Sequence, residues 1–557
     1  MAVLALLVAS RAVPTGGELL VRGLEAAGVI VAFGLPGVHN LAAWKAFAAS
    51  PVRLVGVRHE QAAAYAADGY ARASGRAGVA LTTTGPGAAN TLGAVGEAFA
   101  SSSPIVVIAT DIPSSLRRPG VYRGVLHETT DQAAMFGPVT KATVRVTDPG
   151  EIRAAVELAL WHAQDAPSGP VYLEIPTDAL AAQAPQRHLA AEVRDTRARV
   201  PDNAQMGEAV ALVEGAQRVL IWAGGGALRA GASAPVALLA ERLAAPVVTT
   251  YAAAGLLPPD HPCGVGLPPQ VPEAGALWDA ADLVIAIGSD FDGMTTQNWA
   301  QPPPRRLLAI NLDADDAAKA YTPDLTLVGD AHDTTAALAV RLAGREGLEA
   351  LADDLAARRA TVRARLSAEQ PDAIAFLDTV AEVLPHDATV VVDMCIPGYW
   401  LGGFGRVPRP RGLQYPVGWG TLGYAFPAAL GAALGSPGPV VSVSGDGGFL
   451  FACGELATAA QERLPLTAVV VDDGGYGMLR YDQRHAGDPA FGVDLVTPDF
   501  AALAESFGVR AQTVDGLGDD FGKALAAHIA DPAPTLLLAR AALDPPPTTS
   551  PRWYRRV

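Results

Sequence analysis

The chain has 557 residues, half of them apolar and 18% charged, with 58 glycines and 44 prolines; this is three or four domains' worth of chain at roughly 100–200 residues each, and the composition is neither that of a disordered nor of a fibrous protein. Its 41 basic and 57 acidic residues give a net charge of −16, which leaves no basic footprint for nucleic acid or an anionic membrane. The three cysteines, Cys263, Cys395 and Cys453, are far apart and odd in number, so they form neither a disulfide framework nor a CxxC metal site and suit a reducing cytoplasm.

The opening MAVLALLVAS is apolar but lacks a basic start and is too short to cross a bilayer, so it reads as a tail before the first helix. From Gly16 to about Ala182 helical patterns (GELLVRGLEAAGV, HEQAAAYAADGYARASG) alternate with short apolar strands (VIVAFG, VALTTTG, PIVVIAT, PVYLEIP), the pattern of a parallel sheet wound on both faces. Ala184–Asn203 reads as a linker. A second unit follows with strands VLIWAGG, APVVTTY, DLVIAIG and RLLAINLD, and the charged run Glu346–Glu369 reads as a solvated linker helix. The third unit carries TVVVDM, PVVSVSG, LTAVVVDD and TLLLAR, before an irregular tail, DPPPTTSPRWYRRV. The charge-free stretch Gly418–Gly445 is long enough to suggest a membrane span, but Pro437 and Gly438 divide it into a helix over Thr421–Leu434 and a strand over Val440–Ser444. The expected fold class is therefore α/β, three doubly wound parallel-sheet domains over residues 15–184, 204–345 and 371–545.

One motif carries chemistry more specifically than the rest. GDGGF, Gly445 to Phe449, directly follows the strand VVSVS, and VVVDDGGYG ends a second strand. A strand that delivers Asp446 into a Gly-rich turn and then a helix suits a phosphate: the glycines Gly445, Gly447 and Gly448 let backbone amides approach the anion, and the helix N-terminus adds positive potential. Asp446, Asp473 and a backbone carbonyl near Gly475 offer the hard oxygens that magnesium demands. Glu60, in VRHEQAAAYAADGYARASG, stands at a strand-to-helix junction, where a carboxylate is favoured by the helix dipole alone.

With these motifs in this order the chain resembles the thiamine diphosphate-dependent enzymes, in the branch that holds acetolactate synthase, benzaldehyde lyase and the 2-oxo acid decarboxylases. The resemblance covers Gly16 to Arg540 and implies pyrimidine-binding, middle and diphosphate-binding domains in that order. It implies thiamine diphosphate and Mg2+ as cofactors, with Asp446, Asp473 and Gly475 as metal ligands and Tyr476, Gly477 and Met478 beside them. The family's second metal element is Asn-Asn; here it is Asp472-Asp473, which adds a negative charge next to the diphosphate. The resemblance makes Glu60 the partner of the aminopyrimidine ring, Leu422 in GWGTLGYAFPAALGA the prop of a bent cofactor, and Gly420 the carbonyl that accepts from its amino group. TGPGAAN (Thr84–Asn90) shapes a turn near the cofactor. His39 (GLPGVHN) and His127 (GVLHETTDQ) become candidate proton relays, titrating near neutrality; His59 beside Glu60 is a third histidine of this region. Arg480, Met478 and Trp400 are candidate pocket residues.

The departures narrow the reaction. The adjacent His-His pair of pyruvate decarboxylase is missing, and Leu479 stands where its catalytic glutamate follows the metal loop. AGGGALRAG is a lone Gly cluster without a dinucleotide fingerprint, and GSDFDGM lacks the arginine of the FAD-binding stretch of acetolactate synthase, so FAD is not expected. GLPGVHNL, LHETTDQ and YPVGWGTLGYAFPAA look closest to decarboxylases of 5-guanidino-2-oxopentanoate. The resemblance implies decarboxylation of a 2-oxo acid through a ylid and an enamine, the latter protonated to an aldehyde or added to a second carbonyl. Acetolactate synthase-type carboligation and cofactor binding without turnover stay open as alternatives. Partners implied are a small 2-oxo acid and a second copy of the chain, in a homodimer or homotetramer whose active sites lie at the subunit interface.

Overall fold

In the computed structural model, which describes residues 13–187 and 200–548, the strands pair in parallel throughout three sheets. The opening tail, most of the expected linker 184–203 and the last nine residues of the expected irregular tail lie outside the described residues. Parallel neighbours require crossovers, and helices supply them here, covering strands that are apolar on both faces.

The first sheet has six strands in the order Arg53–Gly56, Val31–Gly34, Gly78–Thr82, Ile105–Asp111, Val171–Pro176, Ala142–Arg145. It lies in a compact unit that runs through Ala67 and includes Ala77–Gly96 and the chain from Pro104. Gly16–Ala26, the helix that opens the described chain, is fixed by a capping box in which Thr15 and Glu18 each bond the other's backbone amide, closing two of the amides a helix start leaves unpaired. Its Leu19, Leu20 and Leu24 are fully buried against Ile152, Val156 and Leu160 of the helix Ile152–Gln164.

A second compact unit holds the other two sheets, together with Asp68–Arg76 and Glu97–Ser103. The five-stranded sheet is ordered Leu325–Val328, Leu307–Asn311, Leu283–Ile287, Val219–Ala223, Val247–Thr249; the six-stranded one Leu413–Gln414, Thr389–Val392, Val440–Gly445, Leu466–Asp472, Thr535–Arg540, Arg510–Asp515. One apolar core joins them. It runs from Trp222, Trp278 and Val284 through Leu355, Val362 and Leu366 to Val390, Val441 and Val469.

That core corrects the reading of the charged segment as a solvated linker. Leu348–Glu369 is a 22-residue helix, but its three buried side chains recur at seven- and four-residue spacing and so share one face. On the flank of that face Arg365 grips Glu273 through both guanidinium ends. The stretch expected to be helical from Thr421 is also corrected: the helix is Ala425–Gly435. Gly420 and Gly423 before it hold φ of +68° and +77°, values that glycine adopts without steric cost and that end helical geometry there.

Candidate active site

In the first unit, Glu60 opens the helix Glu60–Ser74 and is 8% exposed. One side of its carboxylate is taken: Asn90 Nδ2 donates to Oε2 at 3.0 Å. The other oxygen, Oε1, faces Gly87, where a Cβ would lie 3.3 Å away. Asn90 and Gly87 both belong to Thr84–Asn90, so this loop does more than turn the chain; it holds the glutamate. The loop is itself held by the buried Gln132, whose Oε1 accepts from Gly85 N at 2.6 Å while its Nε2 donates to Tyr172 Oη and the Thr110 carbonyl.

His39 and His127 come together, with Nδ1 atoms 3.3 Å apart and ring centroids at 5.2 Å. Burial, with the His127 charge second, holds His39 below its ordinary range. His127 sits at φ +66°, and a Cβ at Gly85 would meet its backbone, so the loop that carries Asn90 also abuts the histidine pair. The turn bearing His39 is pinned by Asn40, fully buried, which accepts from Gly37 N and donates to the Leu35 carbonyl. His59 instead serves the start of the Glu60 helix, its Nδ1 accepting from Gln61 N at 3.2 Å.

In the second unit, three adjacent parallel strands end in acids: Thr389–Val392 before Asp393, Val440–Gly445 before Asp446, and Leu466–Asp472 before Asp473. The carboxyl ends of parallel strands are where such sheets bind ligands. A cavity of about 170 Å³ opens there. It is lined by Gly445, Asp446, Gly447, Gly448, Asp473, Gly475, Tyr476, Gly477 and Met478, and by Gly420 and Leu422 from the turn before the Ala425 helix. Leu479, Met394, Ile396 and Tyr399 complete its apolar wall.

Asp446 is 1% exposed, and its Oδ2 has no hydrogen-bond partner; the same holds for Asp473 Oδ1. Asp473 Oδ2 packs against Gly477, where any Cβ would strike it. Burial first, and then the Asp473 and Asp472 charges, push Asp446 up to about 7. Burial also raises Asp473, against the pull of Arg480. Two carboxylates, Asp446 buried and Asp473 half-buried, each with a buried oxygen that accepts no hydrogen bond, set among glycines and with no basic side chain lining the cavity, are a donor set that suits a hard divalent cation beside a phosphate group.

Asp393 does not line this cavity but shapes it. Fully buried, it accepts from Gly423 N at 2.9 Å, Met394 N at 3.0 Å and Tyr424 N at 3.4 Å, and burial raises it to about 6. It thus fixes the far end of the turn that carries Leu422. The near end is fixed by Glu97, which accepts from Trp419 N at 2.9 Å and pairs with the half-buried Arg72, itself paired with Asp68. Two expectations fail here. Trp400 is core, fully buried with Nε1 donating to the Asp544 carbonyl. Arg480 stays outside the cavity, bonded to Asp494 Oδ1 and the Asp473 carbonyl. Sequence reasoning missed Asn90 and Asp393. The position of Asp393, one acid after a strand end, repeats that of Asp446 and is the signal that would have found it.

Comparison with known proteins covers most of the chain. Residues 14–135, 206–338 and 395–539 match, respectively, the N-terminal TPP-binding, central and C-terminal TPP-binding domains of the thiamine pyrophosphate enzymes. The chain is 37% identical over 534 residues to a probable 2-ketoarginine decarboxylase, AruI, of Pseudomonas aeruginosa, covering 95% of this chain and 94% of the relative. It is 31% identical to a probable acetolactate synthase large subunit of Methanocaldococcus jannaschii, over 90% and 87% of the two chains. In structure it is similar to the thiamine diphosphate-dependent 4-hydroxybenzoylformate decarboxylase of Rhodococcus jostii RHA1, with a TM-score of 0.80, 26% identity, and coverage of 95% and 100%. The three matched domains and the Pseudomonas aeruginosa relative show that the chain belongs to the thiamine pyrophosphate enzyme family.

Proposed function

We propose that this enzyme uses thiamine diphosphate and Mg2+ to decarboxylate a 2-oxo acid, releasing an aldehyde. The observation that carries the metal and diphosphate part is the pair of orphaned, buried carboxylate oxygens of Asp446 and Asp473 in one glycine-lined cavity. Asp446, Asp473 and the Gly475 carbonyl would hold the metal, and Gly445, Gly447, Gly448 and Gly477 leave room for the diphosphate. When bound, the cofactor supplies a carbon nucleophile for the 2-oxo carbon and an electron sink for the pair released as CO2 leaves.

The chain's own groups handle the proton and the shape. With Oε2 of Glu60 occupied by Asn90, Oε1 is the oxygen left to carry a proton to and from the pyrimidine. Leu422, 38% exposed on its turn, offers an apolar prop inside the cavity, and Gly420 offers a carbonyl. His39 and His127, close enough to share one proton, serve the substrate oxygen and carboxylate. In this reading a complete site takes Glu60 from one copy of the chain and the diphosphate cavity from another, so that the working unit is at least a homodimer.

The similarity to a 2-ketoarginine decarboxylase favours 5-guanidino-2-oxopentanoate as substrate. The test is product-resolved NMR of the purified protein with thiamine diphosphate and Mg2+, and without FAD. Pyruvate, benzoylformate, branched-chain 2-oxo acids and 5-guanidino-2-oxopentanoate are offered separately. The expected result is the aldehyde from the guanidino acid in preference to the others. Acetolactate from pyruvate would replace this reading with that of a carboligase.

A further inference from the structure

Asp446 and Asp473 present an unusual electrostatic problem. Both line one cavity, each with a buried oxygen that accepts no hydrogen bond, and no lysine, arginine or histidine lines that cavity among the described residues. The guanidinium group of Arg480 reaches 4.0 Å from Asp473 Oδ1, too far for a hydrogen bond. Two of its donors are engaged elsewhere, Nε on Asp494 Oδ1 at 2.8 Å and Nη1 on the Asp473 main-chain carbonyl at 3.2 Å. Gly477 leaves Asp473 no room to turn away, since its Oδ2 already packs on that backbone. Two carboxylates that share a single guanidinium, itself 4.0 Å away and bonded to other groups, attract a cation strongly, and they repel a polyanion until the cation is there.

We infer that Asp473 turns this cavity into a divalent-cation site in its own right: the Asp446–Asp473 pair takes up the metal before any diphosphate arrives, and so imposes an order in which the anionic cofactor follows the metal. With one carboxylate and a neutral second ligand, the cation would instead depend on diphosphate oxygens to complete its anionic shell. The inference rests on reading this cavity as the metal and diphosphate site.

Two titrations on the full-length protein, stripped with a chelator and held at one pH and ionic strength, test it. In the first, Mn2+ alone is the probe, followed by calorimetry and by its paramagnetic resonance signal, with no cofactor present. Wild type is expected to bind one ion per chain, and D473N and D446N to bind it about tenfold or more weakly, as loss of a ligand charge does at oxygen-ligand sites. In the second, thiamine diphosphate is titrated in chelator and then in saturating Mg2+. Without metal, D473N is expected to bind the cofactor more tightly than wild type, because one repelling charge is gone; with Mg2+ that advantage disappears or reverses. A variant that is merely damaged loses affinity in both conditions, so only the change of order with metal supports the inference. It is overturned if wild type takes up no Mn2+ without cofactor, or if D473N binds Mn2+ as wild type does. If neither D446N nor D473N alters cofactor binding in either condition, the site assignment itself falls and the inference falls with it.

Discussion

Glu60 gains its meaning from what touches it. A carboxylate at a helix start needs no function, yet this one is buried, has one oxygen bonded to Asn90 and the other turned to a glycine. Glu60→Gln is expected to slow exchange of the reactive carbon-bound proton of thiamine diphosphate by about 10²–10⁴-fold, the usual worth of a general acid–base group, while the protein's melting temperature stays put; quenched NMR of the bound cofactor reads the rate. Asn90→Leu removes a hydrogen bond to a charged group, worth about 1.5–3 kcal/mol. It is expected to slow the same exchange roughly tenfold or more, with cofactor affinity retained. Exchange at the wild-type rate in N90L would show that either oxygen of Glu60 serves. Asp446 was singled out by its strand-end glycine motif, and Glu60 and Leu422 by the family resemblance of the segments that carry them. Asn90 was not, since a side-chain amide in a Gly-rich loop looks like any turn former until its distance to a carboxylate is known.

At the scale of elements, the turn from Gly420 to Tyr424 depends on Asp393, which accepts three backbone amides. Asp393→Ala strands those donors in the interior at about 1–3 kcal/mol each, so a clear fall in melting temperature and weaker cofactor binding are expected together. Leu422→Ala, on the same turn but partly exposed, should leave the melting temperature unchanged and lower kcat; thermal scans and steady-state rates on the two variants separate scaffold from prop. A second element sets a pH limit. His528, on the helix Asp519–Ile529, is fully buried, its ring nitrogens unbonded, and burial together with nearby Arg510 lowers it from 6.5 to about 4 despite Asp531. Between those two values the unfolded chain takes up a proton that the folded chain refuses, so stability is full above about pH 6.5 and falls as pH drops toward 4. His528→Leu should flatten that acid arm in denaturation curves recorded across the window. The strands show what pattern alone can deliver. Every interior strand is apolar on both faces and was legible; those missed, Arg53–Gly56, Ala142–Arg145, Leu325–Val328, Leu413–Gln414 and Arg510–Asp515, are all sheet edges. Edges such as RAQTVD mix charged and polar residues, which protects an open strand but erases its signature.

For the whole molecule, the proposal that a site is built from two copies of the chain makes a stoichiometric prediction. Glu60→Gln and Asp446→Asn proteins, each inactive alone, should regain about a quarter of wild-type activity when unfolded, mixed and reassembled as random dimers, because half the dimers are mixed and each of those has one intact site. No recovery from verified mixed dimers would place the whole site within one copy. The order of the third sheet bears on how the protein is made. Thr535–Arg540 sits in its interior, between Leu466–Asp472 and Arg510–Asp515, with Thr535 in register with Thr467 across 68 residues of chain. A ribosome adding about 5–20 residues per second therefore leaves the apolar edge LTAVVVD unpaired for several seconds after it is synthesised. In that interval it is a ready template for another nascent chain, so a chaperone that shields extended apolar segments should raise the yield of this enzyme more than slower heating or gentler purification of the finished fold.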